Sequence, residues 1–119
     1  MILAVVDDLM VGLRIEEAAR AIGRNAEAVS SGGEARQRLR SSTVEGLVVD
    51  LATPQLNLDD LVREASGAGA WLIAFYPHVN VELRRAAERA GVERAYSRSR
   101  FLRDLPNVLL ERLEKKALE

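Results

Sequence analysis

Two short apolar runs, each followed directly by aspartate, constrain the fold of this chain more than any other feature. The first run is Ile2 to Val6, followed by Asp7 and Asp8, and the second is Leu47 to Val49, followed by Asp50. Neither run alternates apolar and polar residues, which is typical of parallel strands covered on both faces. Because sites in open parallel sheets lie at the carboxyl ends of strands, the three aspartates are expected to converge on one acidic pocket if these strands are neighbours.

Such a pocket is costly unless its charge is neutralised. Two carboxylates about 5 Å apart repel each other by roughly 3 kcal/mol at an effective dielectric constant of about 20. Either one carboxyl group keeps its proton, or a hard cation neutralises the group. The alternative interpretation is structural, with each aspartate capping the helix that follows or beginning a turn.

Composition limits the class of protein. The 119 residues predict one domain over residues 1–119, and the 48% apolar content is that of a globular chain. Without cysteine, neither disulfides nor thiolate metal sites are available. No apolar run is long enough for a membrane span or a signal peptide, so a cytoplasmic location is expected. The net charge of −1 argues against broad nucleic-acid binding.

The remaining pattern alternates strands and helices along the whole chain. Further strands are predicted over residues 25–30, 44–49, 71–75 and 92–98. Ser31, Asn57 and Asn80 are candidate N-caps, and Gly91 stops the fourth helix. A single last helix is predicted, with a leucine seam at Leu102, Leu105, Leu109 and Leu113 and with Pro106 in its first turns. Five strands alternating with five helices predict an α/β fold, a three-layer doubly wound parallel sheet.

This layout resembles the receiver domain of two-component response regulators. The matching residues are Val6-Asp7-Asp8 after the first strand, Asp50 after the third, Pro54 in the Asp-x-x-x-Pro loop, and Gly91 before the fifth strand. The resemblance covers the whole chain and implies a (βα)5 flavodoxin-like, CheY-like sheet with strand order 2-1-3-4-5. It implies a regulatory domain and not an enzyme, with at most self-phosphotransfer to Asp50.

The resemblance also implies roles for the acidic residues. Asp50 would accept a phosphoryl group from a histidine kinase or phosphotransfer protein. Asp8 would bind Mg²⁺ directly and Asp7 through water, while Asp50 and the backbone carbonyl of Ala52 would complete the protein ligands. Mg²⁺ favours carboxylates and neutralises the charge that builds up in phosphoryl transfer, which agrees with these roles.

Two positions depart from the family pattern. Tyr76 stands where the family has Thr or Ser, and a phenol cannot simply replace that hydroxyl contact. The position of the family lysine falls on Arg98 when counted from Gly91, or on Ser99 when counted back from Phe101, in which case Tyr96 matches the switch aromatic. We prefer Arg98 because it keeps a cation in the pocket, although Arg and Lys differ in geometry. The third helix is also expected to be short.

These departures leave two functions open. One is an atypical receiver that binds Mg²⁺ and accepts phosphate at Asp50, with weakened coupling to the rest of the domain. The other is a pseudo-receiver, a protein-interaction module that is independent of phosphorylation. A flavodoxin-like ligand binder is disfavoured because the turn Asp7-Asp8-Leu9-Met10 lacks the Gly and Ser/Thr groups that cradle phosphate.

A run of arginines predicts where a partner docks. Seven of them lie between Arg84 and Arg103, on what would be the face of helix four, strand five and helix five. This face is expected to bind an acidic protein partner or to form a homodimer, the alternative being a solvated face with local ion pairs.

His78 is interpreted as an ordinary loop residue, and Trp71 as a packing residue. A DNA-binding output domain would need roughly 50 further residues.

Overall fold

The computed structural model describes residues 1–77 and 80–118. Within them the strands are β1 (Ile2–Val5), β2 (Ala26–Val29), β3 (Gly46–Asp50), β4 (Trp71–Tyr76) and β5 (Arg94–Ser97). The helices are α1 (Leu9–Ala21), α2 (Gly32–Ser41), α3 (Leu58–Gly67), α4 (Val81–Ala90), α5 (Arg98–Arg103) and α6 (Leu105–Ala117). His78 lies outside the described residues, so its interpretation stays a prediction.

The strands form one five-stranded sheet in the order β2-β1-β3-β4-β5. Each neighbouring pair is parallel, and the register places Val5 beside Val49 and Asp50 beside Phe75. The predicted doubly wound α/β fold and its strand order are therefore confirmed. Because β1 and β3 are neighbours, their carboxyl ends meet at one edge of the sheet.

Side chains on the two faces of the sheet form two separate cores. One face, represented by Ile2 and Phe75, packs against α1, α5 and α6. The other, represented by Leu3 and Leu72, packs against α2, α3 and α4. The sheet is thus covered on both sides, which explains why its central strands are continuously apolar.

The predicted helix ends are confirmed. The side chains of Ser31, Asn57 and Asn80 accept hydrogen bonds from the backbone N–H groups of the third residue beyond each. Gly91 ends α4 in the left-handed conformation, with a φ of 87°. These caps satisfy backbone groups that have no partner within their own helix.

Two predictions about the C-terminal part are wrong. The single last helix is divided at Asp104 into α5 and α6, so the described residues contain six helices and not five. Pro106, the second residue of α6, accounts for the division because it has no N–H with which to continue the hydrogen bonding of α5. The fifth strand is also shorter than predicted, since it ends at Ser97 and Arg98 already begins α5.

Trp71 is the first residue of β4, at the amino end of the parallel strands, and it is buried as predicted. Its indole lies directly over Gly46 on the neighbouring strand, and a Cβ on Gly46 would fall 2.0 Å from the ring. Glycine is therefore required at position 46 for this packing.

In residues 1–77 and 80–118, no helix is long and apolar enough to cross a bilayer.

Candidate functional site

The acidic residues predicted from the sequence lie at the carboxyl edge of the sheet. Asp7 and Asp8 follow β1, and Asp50 is the last residue of the adjacent strand β3. The negative charges of Asp8 and Asp7 both contribute to raising the pKa of Asp50, so the three groups share one electrostatic environment. We call these three residues the acidic corner.

Asp8 is held by hydrogen bonds to both of its carboxylate oxygens. Its Oδ1 accepts from the backbone N–H of Met10 at 3.0 Å and of Val11 at 3.2 Å, so Asp8 is the N-cap of α1. Its Oδ2 accepts from Nη2 of Arg98 at 2.8 Å. The Arg98 hydrogen bond, followed by that from Val11, lowers the pKa of Asp8 below its usual value. The capping interpretation of this aspartate is thus correct.

Asp50 has a different environment. It is 7% exposed, and its Oδ1 accepts from the backbone N–H of Ala52 at 2.9 Å. Burial is the main cause that raises its pKa, and the Ala52 hydrogen bond and the positive charge of Arg98 oppose that rise. Asp50 is therefore a carboxyl group whose ionised form is poorly solvated.

The loop after Asp50 is fixed by its own hydrogen bonds. The buried hydroxyl of Thr53 donates to the carbonyl of Asp50 at 2.7 Å, and the N–H of Leu51 donates to the carbonyl of Phe75 at 2.9 Å. Beyond Pro54, Gln55 has a φ of 56°, in the left-handed region that favours glycine. The loop thus keeps Ala52 against Asp50 at the expense of backbone strain in Gln55.

The two substituted positions lie on different sides of this edge. Arg98, at the start of α5, reaches the acidic corner and contacts Asp8. Tyr76 pairs with Ser97 and packs against the core that α2, α3 and α4 cover. Ser99, the alternative to Arg98, is exposed and lies beside Pro77. Arg98 is thus the cation that the fold brings to the carboxylates.

The residues of the acidic corner are not arranged as a magnesium site. In residues 1–77 and 80–118, no group of three or more His, Asp or Glu side chains is arranged to hold a metal ion. Asp8 already bonds to a guanidinium and to the start of α1, and Asp50 bonds to Ala52. In this conformation the residues do not fit Mg²⁺, and the ligand set of Asp7, Asp8, Asp50 and the Ala52 carbonyl stays a prediction.

A groove of about 330 Å³ lies on the face formed by α4, β5 and the start of α5. Tyr96, buried in its wall, has the guanidinium of Arg94 at 5.3 Å and that of Arg100 at 5.8 Å from its ring centre. Some of the predicted arginines make local ion pairs, such as Arg84 with Glu88 at 3.4 Å. The face therefore combines a solvated basic surface with an aromatic centre.

Sequence reasoning missed an apolar patch beside the acidic corner. Leu9, Met10 and Leu13 are 76%, 66% and 44% exposed at the start of α1. Their spacing carried a signal, because they lie off the apolar stripe that contains Val11 and Ile15. Exposed apolar residues grouped in this way are typical of contact surfaces.

Comparison with known proteins identifies the fold. No protein-family model and no curated protein matches the sequence. A CheY-like response regulator receiver domain protein from Methanospirillum hungatei JF-1 superposes with a TM-score of 0.82 at 19% identity, covering 98% of this chain and 94% of that chain. The signal receiver domain of an HD domain-containing protein from Pseudomonas fluorescens Pf-5 gives 0.83 at 19%, covering 99% and 97%. A response regulator receiver protein from Burkholderia phymatum gives 0.70 at 25%, covering 82% and 81%.

These similarities define the class of the molecule. The chain has the fold of the receiver domains of response regulators, as the resemblance in sequence predicted. The roles of individual residues need their own argument.

Proposed function

We propose that this chain is a receiver-like regulatory module of two-component signal transduction that acts by binding a protein partner, independently of phosphorylation at Asp50. The observation that carries the proposal is the hydrogen bond from Arg98 to Asp8, which gives the acidic corner a cation of its own. Phosphoryl transfer needs its charge neutralised by ions and donors placed around the phosphoryl group. Here the carboxylate that would hold the metal is already bonded to protein groups.

The second support is Tyr76. The resemblance implies a small hydroxyl residue at this position, close to the phosphoryl group. The phenol instead packs with the core on the α2, α3 and α4 side and lines the groove beside Tyr96. Tyr76 therefore provides no small hydroxyl side chain that could bond to a phosphoryl group on Asp50. The conformational switch that depends on this contact is not expected here.

The α4–β5 groove is the proposed docking surface. Arg84, Arg94 and Arg100 line it. Its two acidic residues are both paired, Glu88 with Arg84 and Glu93 with Arg112 and Lys115. A two-fold homodimer through this face would bring together two copies of a groove that has three arginines and two glutamates, so the facing surfaces would both be net positive. The partner is therefore a different protein with an acidic surface, and electrostatic attraction would accelerate its association.

Phosphorylation measurements test the proposal directly. Wild type and Asp50→Asn are incubated with a small phosphodonor and Mg²⁺, and phosphoaspartate is quantified by intact mass. We expect no more labelling of wild type than of Asp50→Asn. Stoichiometric labelling that depends on Asp50 would overturn the proposal.

A second candidate function is that of a magnesium-dependent phosphoacceptor at Asp50. The observation that favours it is the position of Asp50, buried at the end of β3 and within electrostatic range of the exposed Asp7. This function requires Arg98 to leave Asp8 when Mg²⁺ binds. Asp50-dependent labelling that requires Mg²⁺ would support it.

A further inference from the structure

We propose that the guanidinium of Arg98 is the resident counter-ion of the acidic corner and excludes divalent cations from it. The inference rests on the proposed function, in which the acidic corner of the wild-type protein holds no metal ion. It assigns a specific physical role to a residue that the fold brings to the carboxylates from a distant part of the chain.

The contact is a product of the tertiary fold. Arg98 begins α5 directly after β5, whereas Asp8 follows β1, and β3 and β4 lie between these strands in the sheet. The side chain therefore reaches back over the ends of two strands to place Nη2 at 2.8 Å from Oδ2 of Asp8. Its backbone is held at the start of α5, where Ser97 caps the helix.

The position of the charge suits a counter-ion. Arg98 bonds to Asp8 directly, and its charge also lowers the pKa of Asp50 against the raising effects of burial, Asp8 and Asp7. The guanidinium charge thus lies at the edge where the neighbouring strands β1 and β3 place their carboxylates. A divalent ion in the corner would be repelled by this charge and would have to displace it from Asp8.

The remaining oxygen of Asp8 does not offer an alternative for a metal. It accepts from Met10 and Val11 and caps α1, so binding an ion there would cost the helix its cap. Removing the guanidinium releases Oδ2 while leaving the cap intact. Arg98→Ala is therefore expected to convert the corner into a carboxylate site of the kind that Mg²⁺ and Mn²⁺ prefer.

Titration with Mn²⁺ tests the inference, with the paramagnetic broadening of amide resonances as readout. In wild type we expect no broadening centred on residues 7–8 and 50–52. In Arg98→Ala we expect broadening centred on those residues, with an affinity at least about tenfold higher than in wild type, and reversal by excess Mg²⁺. Adding Asp8→Asn to Arg98→Ala should remove the site.

Matched variants separate the role of Arg98 from a general change in charge. Arg103→Ala removes an exposed arginine of the same helix that pairs with Asp104, and it should leave the corner closed to Mn²⁺. Arg98 is 38% exposed, so its removal opens no core cavity, and Arg98→Gln provides a second neutral variant of similar length.

The outcomes are distinguishable from those of the phosphorylation test. Broadening at the corner in wild type as strong as in Arg98→Ala would overturn the inference, and so would a folded Arg98→Ala or Arg98→Gln that shows no such site. Asp50-dependent labelling of wild type would overturn the proposed function. If Arg98→Ala shows no Mn²⁺ broadening at the corner and wild type is not labelled at Asp50, the inference is overturned and the proposed function is not.

Discussion

Asp8 follows β1 and Asp50 ends the adjacent strand β3 at the same edge of the sheet, yet their environments have opposite effects on the pKa. The side chain of Asp8 is 41% exposed and uses both oxygens, in a helix cap and in the contact with Arg98, so its pKa is lowered. Asp50 is 7% exposed and its pKa is raised, mainly by burial. Residue type and strand position are therefore insufficient to assign a role, because solvent and hydrogen-bond donors decide which charge is stable.

The largest change in Tm is expected from replacing Asp8, the aspartate of this pair that accepts more hydrogen bonds. Asp8→Ala should lower the Tm by roughly 3–6 °C, because α1 loses its cap and Arg98 loses its partner. Asp8→Asn keeps a capping oxygen and removes the charge, so its Tm should fall by less. Thermal unfolding followed by circular dichroism measures both. Equal losses for the two variants would show that capping is not the main contribution.

Asp50→Asn should act in the opposite direction and raise the Tm by roughly 2–4 °C at neutral pH. Because burial raises the pKa of Asp50 in the folded state, its contribution to stability is present below the ordinary value of 3.8 and is lost as the pH rises through the folded-state pKa. The advantage of Asp50→Asn should therefore disappear in acid.

Thermal unfolding at several pH values tests whether the Tm advantage of Asp50→Asn over wild type grows as the pH rises. Asp59→Asn, at an exposed position in the first turn of α3, is the matched control and should give no gain that grows with pH. A wild type that is more stable than Asp50→Asn at neutral pH would contradict the assignment of Asp50 as a poorly solvated carboxylate.

The smallest effect concerns the loops that follow the two aspartates. Gln55, after Asp50, is the single non-glycine residue with positive φ in residues 1–77 and 80–118, and the turn after Asp8 contains none. Gln55→Gly should raise the Tm by about 1–3 °C, because relief of the strain exceeds the added entropy of the unfolded chain. Gln55→Ala keeps the strain and serves as control. A lower Tm for Gln55→Gly than for Gln55→Ala would contradict strain at this position.

Much of the fold was predictable because the signals are local. The apolar runs at β1, β3 and β4 and the caps Ser31, Asn57 and Asn80 depend on neighbours in sequence, and each of these predictions is confirmed. The division of the last helix was missed because the leucine seam continues through Asp104, and only the conformation beside Pro106 shows the break.

The site was less predictable because its main contact joins residues that are distant in sequence. The positions of Asp8, Asp50 and Arg98 could be read from strand ends, but the hydrogen bond between Arg98 and Asp8 depends on the direction of a long side chain. The opposite pKa shifts depend on burial, which is set by the packed fold. The patch at Leu9, Met10 and Leu13 was missed although these residues lie off the stripe of Val11 and Ile15, because their exposure depends on what packs beside α1.

The position of Trp71 has a consequence for optical measurements on this molecule. It is the single tryptophan of the chain, and it begins β4, while Asp50 lies beside Phe75 near the other end of that strand. The separation along the strand is about 13 Å. The indole is buried over Gly46 as part of an apolar cluster. Its fluorescence emission should therefore report loss of the packed sheet and remain unchanged by events at Asp8 and Asp50, so that ion binding needs a different probe.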